Sequence, residues 1–390
     1  MSDSGSQVGC NKKFLEREKH MSVQNKHCGT WLLSLGVMAL LTGIAPASAA
    51  ESAAEPVDRI QAFCVDFNWG EGGPNGFAAP GLFAHADPAE HYAWYRALGV
   101  NVIQTFAVSH NGYAWYKDSA VAPVQPGLRH DFLKEITELA HRDGLRVMGY
   151  FTVGGNTYWG QKYPEESYGV PSGIHVPFTK KYLDYLSECI RDALTKTNID
   201  GFMIDWVFSP PLLMAEDEVR WLECEQEMYA ELFGEPFPGK NNVDAARTLE
   251  FQRRALDRCW QAIKKARDET RPEAIIWLSC HDLSHPQVVD SAMLREVDWV
   301  MNETPDPERI EAVRDMVGPH TRLIQCLSGG SIEYDAARVL AMPEYSQMGL
   351  YGFAPWPDTE TTLPPENPQD ATQVNIRRNI EALRNVYRGE

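Results

Sequence analysis

The sequence predicts an α/β fold, a single-domain (β/α)8 barrel of the TIM type over residues 51–390. Three observations lead there. From residue 58 onward, short runs of β-branched and aromatic residues alternate with stretches of 3.6-residue apolar spacing, and the alternation occurs eight times. Turns into the runs are short and stopped by glycine, whereas the segments leaving them are long and rich in aromatic and polar residues. No Gly-x-Gly-x-x-Gly follows the first run, which argues against a doubly wound sheet.

Strands are expected at 59–67, 101–108, 146–153, 201–208, 274–281, 298–303, 321–327 and 349–356. The first helix is expected at 88–98, with Asp87 as cap and Pro88 in the first turn. The second, at 132–140, places Leu133, Ile136, Leu139 and Ala140 on one face. Further helices are expected at 182–194, 249–266, 286–296, 309–317, 336–342 and 374–387. Gly99, Gly144 and Gly201 stand in the turns that lead back into strands. The chain ends a few residues after the eighth helix, so no second domain is expected to follow.

Residues 1–50 do not share this pattern and read as an N-terminal extension with a secretory signal. Trp31 to Ile44 is apolar, Lys26 and His27 precede it, and Ala47-Ser48-Ala49 follows. A basic flank, a short apolar core and small residues describe a cleavable leader, too short to favour a membrane span. Met21 begins a leader of ordinary length. The protein is therefore expected to be secreted or periplasmic.

A formal net charge of −18 repels phosphate backbones and anionic lipid. Nucleic acid is excluded as a partner, as is a membrane beyond export, and neutral substrates fit best. Past the leader, Cys64, Cys189, Cys224, Cys259, Cys280 and Cys326 form no Cys-x-x-Cys pair and no zinc-like cluster with histidine. Three of them, Cys64, Cys280 and Cys326, fall in expected strands, where cysteine behaves as a small buried hydrophobe.

The most informative run is Ile199 to Trp206, in which an apolar strand ends in Asp205 with an indole immediately after. A carboxylate at a barrel-strand tip beside an aromatic wall suits attack on an anomeric carbon. Asp200, at the other end of that strand, is expected to serve stability. A second carboxyl group is required as acid/base, and Glu303 at the tip of the sixth strand is the leading choice. Asp66 and Asp282 are rivals, and Glu216, Glu218 and Glu223 sit in the long segment after the fourth strand. Sugar hydroxyl groups are assigned to Asp66, Asn68, His110, His281 and Asp282. Tyr150, Trp159, Trp206 and Trp356 are candidate stacking faces. Asp66, His110, Asp205, His281 and Asp282 lie near one face, yet the first strand lacks His-x-His, and neither a metal nor another cofactor is expected.

Across residues 85–210 the second, third and fourth strands come in the order seen in α-L-fucosidases, which the chain resembles. The resemblance implies a retaining TIM-barrel glycosidase, with Asp205 as nucleophile, His110 as a sugar ligand and Tyr150 as the third-strand aromatic. Glu303 as acid/base follows by position only. Ser109 and Asn111 stand where that family places a histidine and an aspartate, and a carboxy-terminal β-sandwich is not seen. The expected function is hydrolysis of a neutral oligosaccharide or glycoconjugate. Another sugar, such as an α-galactoside, and a non-catalytic carbohydrate-binding barrel are the alternatives.

Overall fold

A computed structural model describes residues 59–389, apart from 71–75, 170–174, 209–220, 304–306, 328–336, 338–339 and 346–347. The expected leader lies outside the described residues.

Eight parallel strands close into a barrel in sequence order. They are β1 (Gln61–Asp66), β2 (Val102–Val108), β3 (Arg146–Thr152), β4 (Gly201–Asp205), β5 (Ile275–Cys280), β6 (Trp299–Asn302), β7 (Arg322–Cys326) and β8 (Gly349–Pro355). Each coincides with an expected strand. Closure is made by β1 against β8, paired from Gln61–Leu350 to Asp66–Pro355. The strands are almost wholly buried because helices cover their outer faces and side chains fill the lumen. Trp277 on β5 meets Tyr351 on β8 with ring centroids 5.3 Å apart, a contact only possible through the interior. Tyr351 also donates to Gln104 Oε1 on β2 at 2.7 Å, so the lower lumen is plugged by large side chains.

The surrounding helices are α1 (Pro88–Leu98), α2 (Phe132–Arg142), α3 (Thr157–Lys162), α4 (Lys180–Lys196), α5 (Glu223–Phe233), α6 (Ala245–Thr270), α7 (Ala292–Glu296), α8 (Pro307–Met316) and α9 (Ala371–Arg388). Asp87 caps α1 by accepting from the backbone of Ala89 and Glu90, and Gly99 ends it in the left-handed region, as expected. Asp200 lies just before β4, at the end of the barrel away from Asp205. Its Oδ2 accepts from Val147 N at 2.7 Å and meets His141 Nε2 at 2.9 Å, tying α2 and β3 below the barrel.

Three details differ from expectation. Helices α3 and α5 lie in segments read as loops. The short α3 is capped by Asn156, and α5 carries a weak apolar face with Glu225 buried in its first turn. The helix expected at 286–296 is only the short α7, because a turn anchored on Asp282 and His285 occupies residues 282–291. Trp159 is not a stacking platform: it is 4% exposed and packs on Tyr163, Tyr182 and Tyr185. Of the helix expected at 336–342, residues 336, 338 and 339 lie outside the described residues. No described helix is long and apolar enough to cross a membrane.

Candidate active site

Asp205 is the last residue of β4, and both carboxylate oxygens are held. Tyr150 Oη donates to Oδ2 at 2.9 Å, and the Trp206 backbone N–H donates to Oδ1 at 2.8 Å. Tyr150 itself stands on β3 and receives a long 3.4 Å bond from Thr152 Oγ1. Glu303 follows β6 directly, and its Oε1 accepts from Ser279 Oγ on β5 at 2.5 Å. On β1, Asp66 accepts from Asn68 N at 2.8 Å and from the Trp69 indole at 3.0 Å.

The electrostatics link these three carboxyl groups. Burial pushes Asp205 up to about 7, the Glu303 carboxylate pushes the same way, and Tyr150, Trp206 and His281 oppose them. Glu303 is raised too, chiefly by burial, with the Ser279 hydroxyl opposing. Asp66 reaches about 7 by burial; its two donors oppose this, and the Asp205 charge adds to it. Asp205 and Glu303 keep some contact with the open mouth, but surrounding protein removes most of their water. Like charges in a poorly hydrated space resist joint ionisation, so near neutral pH the group shares protons.

Beside the carboxyl groups runs a continuous chain of rings. Trp69 stacks on Phe77 at 5.1 Å, Phe77 meets His110 at 4.8 Å, and His110 meets Trp206 edge-on at 4.3 Å. His110 is 1% exposed, and neither ring nitrogen has a hydrogen-bond partner among the described residues. Burial holds it well below the usual histidine range, with nearby His175 acting the same way. The ring is therefore neutral and presents one donor and one acceptor. Trp206 adopts φ 58° and Trp356, just after β8, φ 55°. A left-handed tryptophan costs on the order of 1–2 kcal/mol, so surrounding contacts must enforce it.

The structure brings Asp66, His110, Tyr150, Asp205, Trp206 and Glu303 together. His281 acts on Asp205 electrostatically and lies 5.6 Å from the Phe208 ring. Asp282 Oδ1 accepts from both the backbone and the hydroxyl of Ser284, which shapes the turn after β5. Asn68 spends its side-chain oxygen on the His110 backbone N–H at 2.9 Å and so braces the histidine. Trp356 sits half-buried beyond β8 with its indole nitrogen buried. Glu223 is exposed at the start of α5, while Glu216 and Glu218 lie outside the described residues. Among the described residues no three His, Cys, Asp or Glu side chains converge as metal ligands would.

Sequence reasoning missed Ser279 and His175. Ser279 was legible as an inward position, two residues before the end of an expected strand. His175 was not, because it lies in an aperiodic stretch whose course only tertiary contacts fix.

Residues 87–206 match a protein family described as "Hypothetical glycosyl hydrolase 6". That window runs from the cap of α1 to Trp206 and includes His110, Tyr150 and Asp205. No curated protein sequence matches the chain. Among solved structures, α-L-fucosidase isoenzyme 2 from Paenibacillus thiaminolyticus superposes with a TM-score of 0.57 at 16% identity, over 83% of this chain and 49% of that one. The chain thus spans about half the length of that fucosidase. The Thermotoga maritima α-fucosidase in complex with fucose gives 0.42 at 14% identity, over 79% and 58% of the two chains. A maltogenic α-amylase, AmyB, from Thermotoga neapolitana gives 0.44 at 12%, over 84% and 77%. The first of these bears out the resemblance to fucosidases at the level of the fold.

Proposed function

We propose that this protein is a glycoside hydrolase that acts with retention, with Asp205 as nucleophile and Glu303 as acid/base. One observation carries the reading: the carboxyl groups at the β4 and β6 tips are both raised by burial, the Glu303 charge raises Asp205 further, and the two differ in their partners. Asp205 accepts two hydrogen bonds, which favour its anion and aim it. Among the described residues Glu303 accepts one, from Ser279 Oγ to Oε1, and the acid's proton is assigned to its other oxygen. The glycosyl-hydrolase description of the family matched at 87–206 supports the same reaction class.

The steps follow from that asymmetry. Protonated Glu303 gives its proton to the departing glycosidic oxygen while Asp205 attacks the anomeric carbon. Burial favours the protonated Glu303 at the outset, and forming the glycosyl ester then removes the neighbouring Asp205 charge, which makes ionisation of Glu303 easier. Glu303 then becomes the stronger acid, stays ionised and takes a proton from the incoming water. Retention asks for carboxyl groups roughly 5–5.5 Å apart. Asp66 fixes Trp69, and the half-buried rings of Trp69, Phe77 and Trp206, backed by the buried His110, take the C–H face of the sugar. Three acidic groups in one mouth and a net charge of −18 favour a neutral glycoside over a uronide. The leader-like residues 26–49 support a location outside the cytoplasm, as a secreted or periplasmic protein.

The test is an aryl-glycoside panel that includes α-L-fucoside and α-galactoside, run on wild type and Asp205→Asn. Turnover lost in the variant, with a retained anomer in wild-type product by NMR, supports the reading. Oligosaccharide binding without turnover of any panel member would leave a non-catalytic binding barrel.

A further inference from the structure

His175 belongs to no element and was invisible in the sequence, yet it is among the most completely enclosed polar residues, at 0% exposure. Its ring lies flat on the Trp206 indole, with centroids 5.3 Å apart and planes 23° from parallel. His110 grips the same indole from the edge. Neither His175 ring nitrogen has a hydrogen-bond partner among the described residues, so its packing is by face and not by polar contact.

The backbone around it is built to hold that ring in place. Past β3 the chain continues alongside Asp205 and Trp206: Val153 N donates to Asp205 O and Gly154 N to Trp206 O, both at 2.8 Å. On its other side Gly155 pairs with His175, and Val176 N donates to Gly154 O at 3.2 Å. A Cβ on Gly154 would lie 2.4 Å from Trp206 O, so only glycine permits this approach. The His175 carbonyl accepts from Tyr168 N at 3.0 Å and Ser167 Oγ at 3.1 Å. The Tyr168 hydroxyl in turn donates to Glu225 of α5, a helix inserted after β4.

We propose that His175 is a positioning residue, whose ring holds Trp206 in its left-handed conformation and thereby fixes the N–H that anchors the Asp205 carboxylate. The φ of Trp206 and the ψ of Asp205 flank one rigid peptide, so relaxation of the strained φ rotates that peptide and its N–H away from Oδ1. The brace runs from Glu225 through Tyr168 and His175 to Trp206 and ends on Asp205. It gives the α5 insertion a task at the reacting carboxylate, and it rests on the reading of Asp205 as nucleophile.

The test uses the full protein as His175→Ala and His175→Phe, with crystal structures and steady-state kinetics for each. In His175→Ala the Trp206 N to Asp205 Oδ1 bond is lost and kcat falls roughly ten- to hundredfold, with KM changed much less. In His175→Phe a flat ring is restored, and the bond and most of the rate return. An intact bond and rate in His175→Ala would overturn the proposal. So would a phenylalanine variant as impaired as alanine, because an imidazole nitrogen would then be the active feature. If His175→Ala does not fold, Tyr168→Phe cuts the brace below the ring and must lower kcat in the same direction, and an unchanged rate there overturns the proposal. If the wild type cleaves no glycoside, the functional reading fails, while the structures still decide whether His175 holds Trp206.

Discussion

Tyr150 Oη and Asp205 Oδ2 are joined at 2.9 Å across neighbouring strands β3 and β4, in register Thr152–Asp205 and Tyr150–Met203. The tyrosine therefore reaches up one pleat to the carboxylate above it, and its own ionisation is suppressed by burial and then by the Asp205 charge. A phenol that remains protonated is a dependable donor to an anion.

Tyr150→Phe removes that donor and leaves the ring. A hydrogen bond that favours the charged form lowers a carboxyl pKa, so its loss raises that of Asp205. The acidic limb of the kcat/KM profile is expected to move to higher pH, and kcat to fall about ten- to hundredfold, the size of a charge-assisted hydrogen bond. A full pH profile of both proteins checks this, and an acidic limb that moves downward contradicts it.

Glu303→Gln tests the electrostatic link from the other side. Removing the glutamate charge takes away an influence that raises Asp205, so the Asp205 carboxyl should titrate below its present value of about 7. The basic limb of the activity profile, which belongs to the acid, should vanish. Carbon NMR of labelled aspartate reads the first effect and steady-state kinetics the second. Ser279→Ala should act oppositely on the acid itself: without the opposing hydroxyl, Glu303 holds its proton to higher pH.

How much of this could be read from residues alone follows from what fixes each part. The eight strands were legible because each is a short apolar run between helical or loop stretches, three of them entered through turns stopped by Gly99, Gly144 or Gly201. Asp205 was legible because such a run ends in a charge where burial would otherwise forbid one. Asn68 shows the limit: its residue type suits a sugar ligand, but its oxygen is committed to His110 N, a contact 42 positions away in the chain. The α5 insertion shows another. Its helical face is short and mixed, and what fixes it is the buried contact of Glu225 with Tyr168, 57 residues earlier. Local pattern carries no information on such pairings.

Glu225 leads to a prediction about stability. It is 2% exposed, receives the Tyr168 hydroxyl and Leu222 N, and burial pushes it from an ordinary 4.5 up to about 7. The folded protein thus holds this proton more tightly than the unfolded chain does. The corresponding stability is present in full below about pH 4.5 and is lost as pH rises through 7. Asp66, also raised to about 7, works in the same direction. Glu225→Gln removes the titration, so between pH 4.5 and 7 its melting temperature should fall less steeply than that of wild type. Parallel curves would show that Glu225 does not titrate in that window.

Asp200 supplies the contrast between the two ends of β4, whose other end carries Asp205. Its Oδ2 accepts from Val147 N at 2.7 Å and meets His141 Nε2 at 2.9 Å, both at the amino-terminal end of the barrel. Asp200→Ala leaves a partly buried backbone N–H of β3 without its acceptor and frees α2 from the strand that comes after it. Leaving such a donor unsatisfied costs roughly 1–3 kcal/mol. Loops at this end do not reach the mouth, so kcat and KM of the folded enzyme should stay at wild-type values while the denaturation midpoint drops with an unchanged m-value. Asp205→Asn should behave in reverse, with turnover lost and stability kept or raised, because it removes a charge that burial disfavours. Two aspartates, one just before and one at the end of a five-residue strand, then separate folding from chemistry by position alone. Loss of turnover in Asp200→Ala at full folding would break that separation.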